Sequence, residues 1–170
     1  MNLSVIIVTW NAKRIVRECL ESLVKHTKDL NTEIIVVDNA SSDGTSQLKR
    51  EHLPHVKLRQ KDANLGFTRA NNIGVWLSTG KYVCLVNSDV VVPANCLEKM
   101  AQHMEQHPDI GMLGPKMFLP EGTIGQSCLR FPSVWNWFCR ALALDRLFKG
   151  SRLLGGFLMT DFCYDRVMDV

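Results

Sequence analysis

At 170 residues and 46% hydrophobic, the chain is apolar enough for one packed domain and too apolar for a disordered one. A formal net charge of +3 is mild and carries no footprint of nucleic-acid binding. Six cysteines without a CxxC pair or zinc spacing exclude a zinc-ribbon framework and suit a reducing cytoplasm.

The start, MNLSVIIVTW, lacks a basic leader region and holds only a short apolar run, so it reads as a strand and not as a signal peptide. Leu3 to Thr9 is that strand. Asn11 ends it and is expected to cap the next helix. The apolar stripe of that helix is Ile15, Val16, Cys19, Leu20, Leu23 and Val24. Lys13, Arg14, Arg17, Glu18 and Glu21 take its wet face. Glu33 to Val37 predicts a second strand, running into Asp38 and Asn39. A turn over 40–45 leads to a second helix from about Gly44 to Glu51, and Val56 to Arg59 predicts a short third strand.

Asn64 to Gly74 is a loop opening into a third helix, which Gly80 ends. The rest of the chain is organised around Lys81 to Pro93, KYVCLVNSDVVVP. Its apolar run, Tyr82 to Val86, suits a buried, central parallel strand, and Asn87-Ser88-Asp89 follows. A fourth helix spans Ala94 to His107 and stops at Pro108. Ile110 to Phe118 predicts a fifth strand, weakened by Gly111 and Gly114. Pro120 to Pro132 is loop-rich. Trp135 to Phe148 predicts an amphipathic helix, with Trp135, Trp137 and Phe138 read as core in preference to a membrane or acceptor contact. Gly155-Gly156 is a turn. No stretch reaches bilayer-spanning length, and there is no internal repeat.

Strands alternating with helices define an α/β fold with a mainly parallel sheet. Such a sheet places Thr9-Trp10-Asn11, Asp38-Asn39-Ala40-Ser41 and Asn87-Ser88-Asp89 along one edge, where open α/β sheets bind ligands. The dinucleotide fingerprint GxGxxG is absent after strand one, and so is the phosphate loop. Asp38 or Asn39 can hydrogen-bond a pyrimidine edge. Asn64 and Gly66 allow close backbone approach to a ribose. Asp89 can hold a hard divalent cation that neutralises a diphosphate.

Plainer roles stand beside these. Asp89 can cap a turn before Pro93, and Asp38 can cap through the Ser41-Ser42 turn. Arg69 is a phosphate contact or ordinary surface. A calcium loop over Asp38 to Gly44 fails, because Ala40 and Ser42 fill ligand positions. His103 and His107 have zinc-ligand spacing without the glutamate of HExxH, and they read as a solvated face near a helix C-terminus. A signalling receiver fits the strand order but needs an acid pair after strand one, which Thr9-Trp10-Asn11 does not supply.

The segments SVIIVTWN, VVDNASSDGT, NLGFTRANNIG and LVNSDVVV, in this order and spacing, resemble family 2 of the GT-A glycosyltransferases. Among its members they look most like the bacterial rhamnosyltransferase-like branch. Arg130-Phe131-Pro132 and the helix after it share the likeness more weakly. The resemblance implies a GT-A, Rossmann-like, mainly parallel sheet flanked by helices. It implies a nucleotide-diphospho-sugar donor (a dTDP- or UDP-sugar, with rhamnose a candidate) and inverting transfer to a saccharide or lipid-linked acceptor in cell-surface polysaccharide synthesis.

Residue by residue, the resemblance places Thr9 and Asn11 on the first nucleotide-contact motif and Asp38 and Asn39 on the base-recognising acidic pair. Asn64, Gly66 and Asn72 fall on the third motif, near base and ribose. Asn87, Ser88 and Asp89 fall on the DxD metal motif, leaving Asp89 as the carboxylate for Mg²⁺ or Mn²⁺. Asn39 stands where a second acid is frequent, and Asn87 where DxD has its first. An amide oxygen is the weaker cation ligand.

The family's general base lies in a later segment, whose context the late acids Asp161, Asp165 and Asp169 do not match. The catalytic base is therefore expected beyond Val170, and the chain is expected to be C-terminally truncated and nearly inactive alone. Residues 1–118 would form the nucleotide-sugar-binding core, and 119–170 the incomplete start of an acceptor-side region. The implied location is cytoplasmic, with peripheral association at the inner membrane face, and no nucleic-acid partner. The rival reading is a nucleotide-binding module that does no chemistry in this form.

Overall fold

Val5-Ile6-Ile7-Val8, Ile34-Ile35-Val36-Val37 and Tyr82 to Val86 are β-branched and apolar, a composition that fits a pleated, buried surface. In a computed structural model these runs become strands of one parallel sheet. The structure describes residues 2–27, 30–47, 56–125, 127, 129, 131–148, 151, 153 and 154. β1 (Asn2–Thr9), β2 (Asn31–Asp38), β3 (Val56–Gln60) and β4 (Tyr82–Asn87) line up in the order β3-β2-β1-β4. Successive strands step one way from β1 to β3, and β4 then returns to the other side of β1. The order reverses between β1 and β4, and such a switch point opens a crevice at the strands' carboxyl ends.

Helices α1 (Lys13–His26) and α2 (Phe67–Leu77) cover opposite faces. On one face, Val5 and Ile7 of β1 and Val36 of β2 pack with Val16, Cys19, Leu20 and Leu23 of α1 and with Leu97 of α3 (Cys96–Gln106). On the other, Ile6, Ile35 and Val37 pack with Ala70 of α2. Each fully buried Val, Leu or Ile contributes ~1.5–3 kcal/mol. The mainly parallel α/β sheet flanked by helices is thus as expected.

Several local expectations change. β4 is an edge strand among the described residues, not a central one. Its Tyr82, Cys84 and Val86 pack on the α1 face, while Val83 and Leu85 are 42% and 55% exposed. α2 lies across β1 and β2, which leaves Val83 and Leu85 on β4's second face exposed among the described residues. Ile15 of α1 is exposed and outside the stripe. Of the expected second helix, the described part is a 3₁₀ turn, Thr45–Gln47, and the rest lies outside the described residues. α2 ends at Leu77, before Gly80.

Packing divides the chain into two compact units, Met1–Leu113 and Gly114–Val170. In the second, only Met117–Phe118 (β5) of the expected fifth strand is extended. It pairs antiparallel with Ile124–Gly125 (β6) around Gly122, whose φ is +82°. Gly111, Gly114 and Pro115 account for the irregular stretch before it. The expected long helix is two pieces, α4 (Val134–Ala141) and α5 (Leu144–Leu147), separated at Ala143 with φ +54°. Ser133 Oγ caps α4 by accepting from Asn136 N at 3.1 Å. Trp135, Trp137 and Phe138 are exposed, and α4 buries Cys139 instead. Gly155-Gly156 and the acids Asp161, Asp165 and Asp169 lie outside the described residues. Asp145, a late acid that sequence reading passed over, is buried in α5, and its Oδ1 lacks a partner among the described residues.

Candidate functional site

The carboxyl edge of the sheet brings the first two polar clusters together. Thr9 and Asp38 are register partners on neighbouring parallel strands, so their side chains leave the same face. Thr9 is 2% exposed and Asp38 is 0% exposed. Asp38 was expected at an open strand end, but it is enclosed, because the loop after it turns back over the edge. Its Oδ1 accepts from Ser41 N at 3.1 Å and from the Ser41 hydroxyl. This is the capping role, realised within a turn. Its Oδ2 and the Thr9 hydroxyl have no hydrogen-bond partner among the described residues. A buried polar group left so costs ~1–3 kcal/mol, which marks this corner as built for something else.

Asn11 does not cap α1. It sits at φ +48°, donates its backbone N–H to Ser41 Oγ at 2.8 Å, and accepts from Ser42 N on its side-chain oxygen at 2.8 Å. The acceptor at the start of α1 is Asp43, whose Oδ2 takes the Lys13 N–H at 2.8 Å. A carboxylate there also faces the positive end of the helix dipole. Burial works to raise the Asp43 pKa, but hydrogen bonds from Thr45 and Lys13 outweigh it and hold the carboxyl below its ordinary range. Asp43 is a site-building residue that sequence reading missed, whereas the turn through Ser41 was anticipated. A cap supplied from 30 residues away leaves no local signal.

Asn39 is 3% exposed and clasps the third motif. Its Oδ1 accepts from Leu65 N at 3.4 Å, and its Nδ2 donates to Gly66 O at 3.3 Å. Asn64 Oδ1 accepts from Gly66 N at 2.9 Å. Gly66 has φ +79° with open space around it, so backbone freedom and not room is what requires glycine. Asn72 is exposed on α2, whereas its neighbour Asn71 is buried and donates to Phe67 O at 3.0 Å.

At the end of β4, Asn87 is the register partner of Val8, one residue from Thr9. The turn closes through Val90 N to Asn87 O at 3.2 Å. Asn87 and Asp89 are exposed and Ser88 is half-buried. Among the described residues no three His, Cys, Asp or Glu side chains form a metal-holding group. The turn after β4 offers one exposed carboxylate, Asp89, and a hard cation held by one or two carboxylates takes its remaining oxygens from phosphates. The donor set therefore fits a cation arriving with a diphosphate and not a resident one. The His103 and His107 rings lie tilted with centroids 4.4 Å apart, on exposed positions at the end of α3.

Comparison with known proteins bears on this edge. The model of glycosyl transferase family 2 matches residues 4–148. An uncharacterised glycosyltransferase of Escherichia coli, YibD, is 37% identical over 64% of this chain and 32% of its own. The poly(ribitol-phosphate) β-N-acetylglucosaminyltransferase TarS of Staphylococcus aureus is 30% identical over 63% of this chain. A TarS structure in complex with UDP-GlcNAc superposes with a TM-score of 0.57 at 30% identity, covering 64% of this chain and 32% of that one. A mannosyltransferase of Pyrobaculum calidifontis, solved with GDP-Man and Mn²⁺, gives a TM-score of 0.54 at 27% identity, covering 60% and 32%. The chain spans about a third of the length of the curated relatives it matches.

Proposed function

Because the chain belongs to glycosyl transferase family 2, we propose that its sheet edge binds a nucleoside-diphosphate sugar for inverting transfer to a saccharide or lipid-linked acceptor. The observation that carries this reading is the pair of enclosed atoms, Asp38 Oδ2 and Thr9 Oγ1, that have no hydrogen-bond partner among the described residues. When the loop after β2 moves aside to admit a base, the Asp38 carboxylate oxygen, enclosed here, accepts from a ring N–H of a pyrimidine, and the Thr9 hydroxyl beside it serves either a donor or an acceptor on the same ring. Asn11 holds the loop over this corner. Asn39 acts by fixing the 64–66 loop, whose Asn64 and Gly66 line the ribose side. Asn87 and Ser88 face the diphosphate.

Asp89 would hold Mg²⁺ or Mn²⁺ together with the phosphate oxygens. A cation so placed offsets the charge that develops on the leaving nucleoside diphosphate. A uridine base is supported by the TarS complex with UDP-GlcNAc. A thymidine base and a rhamnose-type sugar rest on the resemblance of the four motifs. The division into a donor side at 1–118 and an acceptor side from 119 is part of the same proposal. So is a cytoplasmic location beside the membrane, where a lipid-linked acceptor would be met. Among the described residues no helix is long and apolar enough to cross a membrane.

The test is calorimetry with UDP, dTDP and their sugars, with and without Mn²⁺. Binding of one of the pyrimidine diphosphates, tightened by Mn²⁺, is the expected result. A chain that binds neither under either condition would overturn the proposal.

A further inference from the structure

Two side chains of α1 are hydrogen-bonded to the backbone of the loop that follows β4. The Cys19 thiol, 1% exposed, donates to Asn87 O at 3.7 Å, a sulfur-length contact. Ser22 Oγ accepts from Val92 N at 3.0 Å and donates to Cys19 O at 2.7 Å. Cys19 and Ser22 are three residues apart on α1 and so lie on one face of the helix. Between their two anchors, Asn87 O and Val92 N, stand Ser88, Asp89, Val90 and Val91. Val92 itself is buried in the α1-side core.

We propose that Cys19 and Ser22 are positioning residues that clamp both ends of the 87–92 loop and thereby aim the Asp89 carboxylate at the cation. The inference rests on the reading of Asp89 given above. Neither residue touches substrate. A carboxylate on a loop anchored at one end samples many directions, and a cation must then order it. A loop anchored at both ends is ordered beforehand, which improves affinity without adding a ligand. The thiol is a weak donor, so Ser22 carries the larger share.

The experiment measures UDP affinity with and without Mn²⁺ for the full chain and for Ser22→Ala, Ser22→Thr, Cys19→Val and Cys19→Ser. Amide exchange at Val90 and Val92 is read alongside, with Val5 to Ile7 as the folding control. Ser22→Ala is expected to lose about 10-fold of the Mn²⁺-dependent gain while Mn²⁺-free affinity stays unchanged. Protection at Val92 should fall, and protection in β1 should hold. Cys19→Val should follow more weakly. Ser22→Thr, which keeps the hydroxyl, and Cys19→Ser, which puts a hydroxyl donor in place of the thiol, should recover most of the gain. Equal losses with and without Mn²⁺, or unchanged exchange at Val92, would overturn the clamp. A wild-type chain that gains nothing from Mn²⁺ would overturn the reading of Asp89, and the aiming role with it. A wild type that gains, beside variants that keep the whole gain, would overturn the clamp alone.

Discussion

Asp38 shows how one residue serves two purposes with two oxygens. Oδ1 is held by Ser41 and shapes the turn, while Oδ2 is enclosed and unpartnered among the described residues. Asp38→Ala is therefore expected to weaken pyrimidine-diphosphate binding by about 10- to 100-fold, the range for hydrogen bonds to a charged group. The fold should survive, because an unpartnered buried oxygen is removed along with the turn contact. Titration calorimetry and a melting curve on the same sample separate these effects. A collapse in melting temperature with affinity intact would assign Asp38 to the turn alone. Asp43→Ala should cost about 1 kcal/mol of stability, as lost caps do, and a denaturant midpoint reads it. At this scale the sequence was partly legible. Asp38, Asn39 and Asp89 each follow a β-branched run, and that position alone singles them out. The local turn from Asp38 to Ser41 was legible, but the hold of Asn39 on Leu65 and of Asp43 on Lys13 was not, because those partners are chosen by tertiary closure. Asn11 is the clearest case: as a residue type it suits a cap, yet its amide is taken by Ser42 and the cap falls to Asp43.

At the scale of elements, the end of the sheet opposite the candidate site is locked through Glu33. Its carboxylate accepts from Lys57 Nζ at 2.6 Å, Thr79 N at 2.6 Å, Thr79 Oγ1 at 2.9 Å and the Ser4 hydroxyl. Gly80 N donates to the same Ser4 hydroxyl at 2.8 Å. β1, β2, β3 and the entry to β4 thus converge on one side chain. Burial raises the Glu33 pKa, but these hydrogen bonds outweigh it and bring the carboxyl from 4.5 down to about 2. A carboxyl depressed on folding stabilises the native state above its ordinary value, and that contribution is lost as pH falls toward the folded value. Stability should decline between about pH 4.5 and 2, and Glu33→Gln should flatten that limb of the midpoint-against-pH curve. An unchanged acid slope in the variant would remove Glu33 from the account.

Helix α2 offers a second check. A Cβ on Gly74 would lie 2.3 Å from Ile6 Cγ2, so the helix rests directly on β1. Gly74→Ala should destabilise by ~1–3 kcal/mol through overpacking, seen as a lower denaturant midpoint. The identities of β1 to β4 and of α1 to α3 were legible from periodicity. The edge position of β4 was not, because an apolar run records that a strand is buried on one face without saying which helix covers the other.

At the scale of the molecule, the donor-binding reading makes stability depend on ligand. A compound that binds only the folded chain stabilises it by ~2.7 kcal/mol at one hundred times its dissociation constant. UDP with Mn²⁺ should therefore raise the melting temperature of the wild type. The same mixture should do less for Asp38→Ala, and omitting Mn²⁺ should reduce the shift. No shift in the wild type at saturating nucleotide would contradict the proposed site. The parallel α/β architecture was legible from alternation alone, whereas Gly114–Val170, with its short hairpin and broken helix, has weak periodic signals and was read less well.

The position of β1 between β2 and β4 also sets a timetable. Leu3 pairs with Thr32 on one side and with Tyr82 on the other, roughly 80 residues downstream. At ~5–20 residues per second of synthesis, the second partner arrives roughly 4–16 s after the strand itself. Closing that long loop precedes any reward from the contacts it makes, which slows parallel pairing. During the wait, one whole side of an apolar strand offers unpaired backbone to any neighbour. β1 is thus made before its two partners yet completes its pairing only with the later one, and the nascent chain is most exposed to mispairing before Tyr82 to Asn87 has emerged.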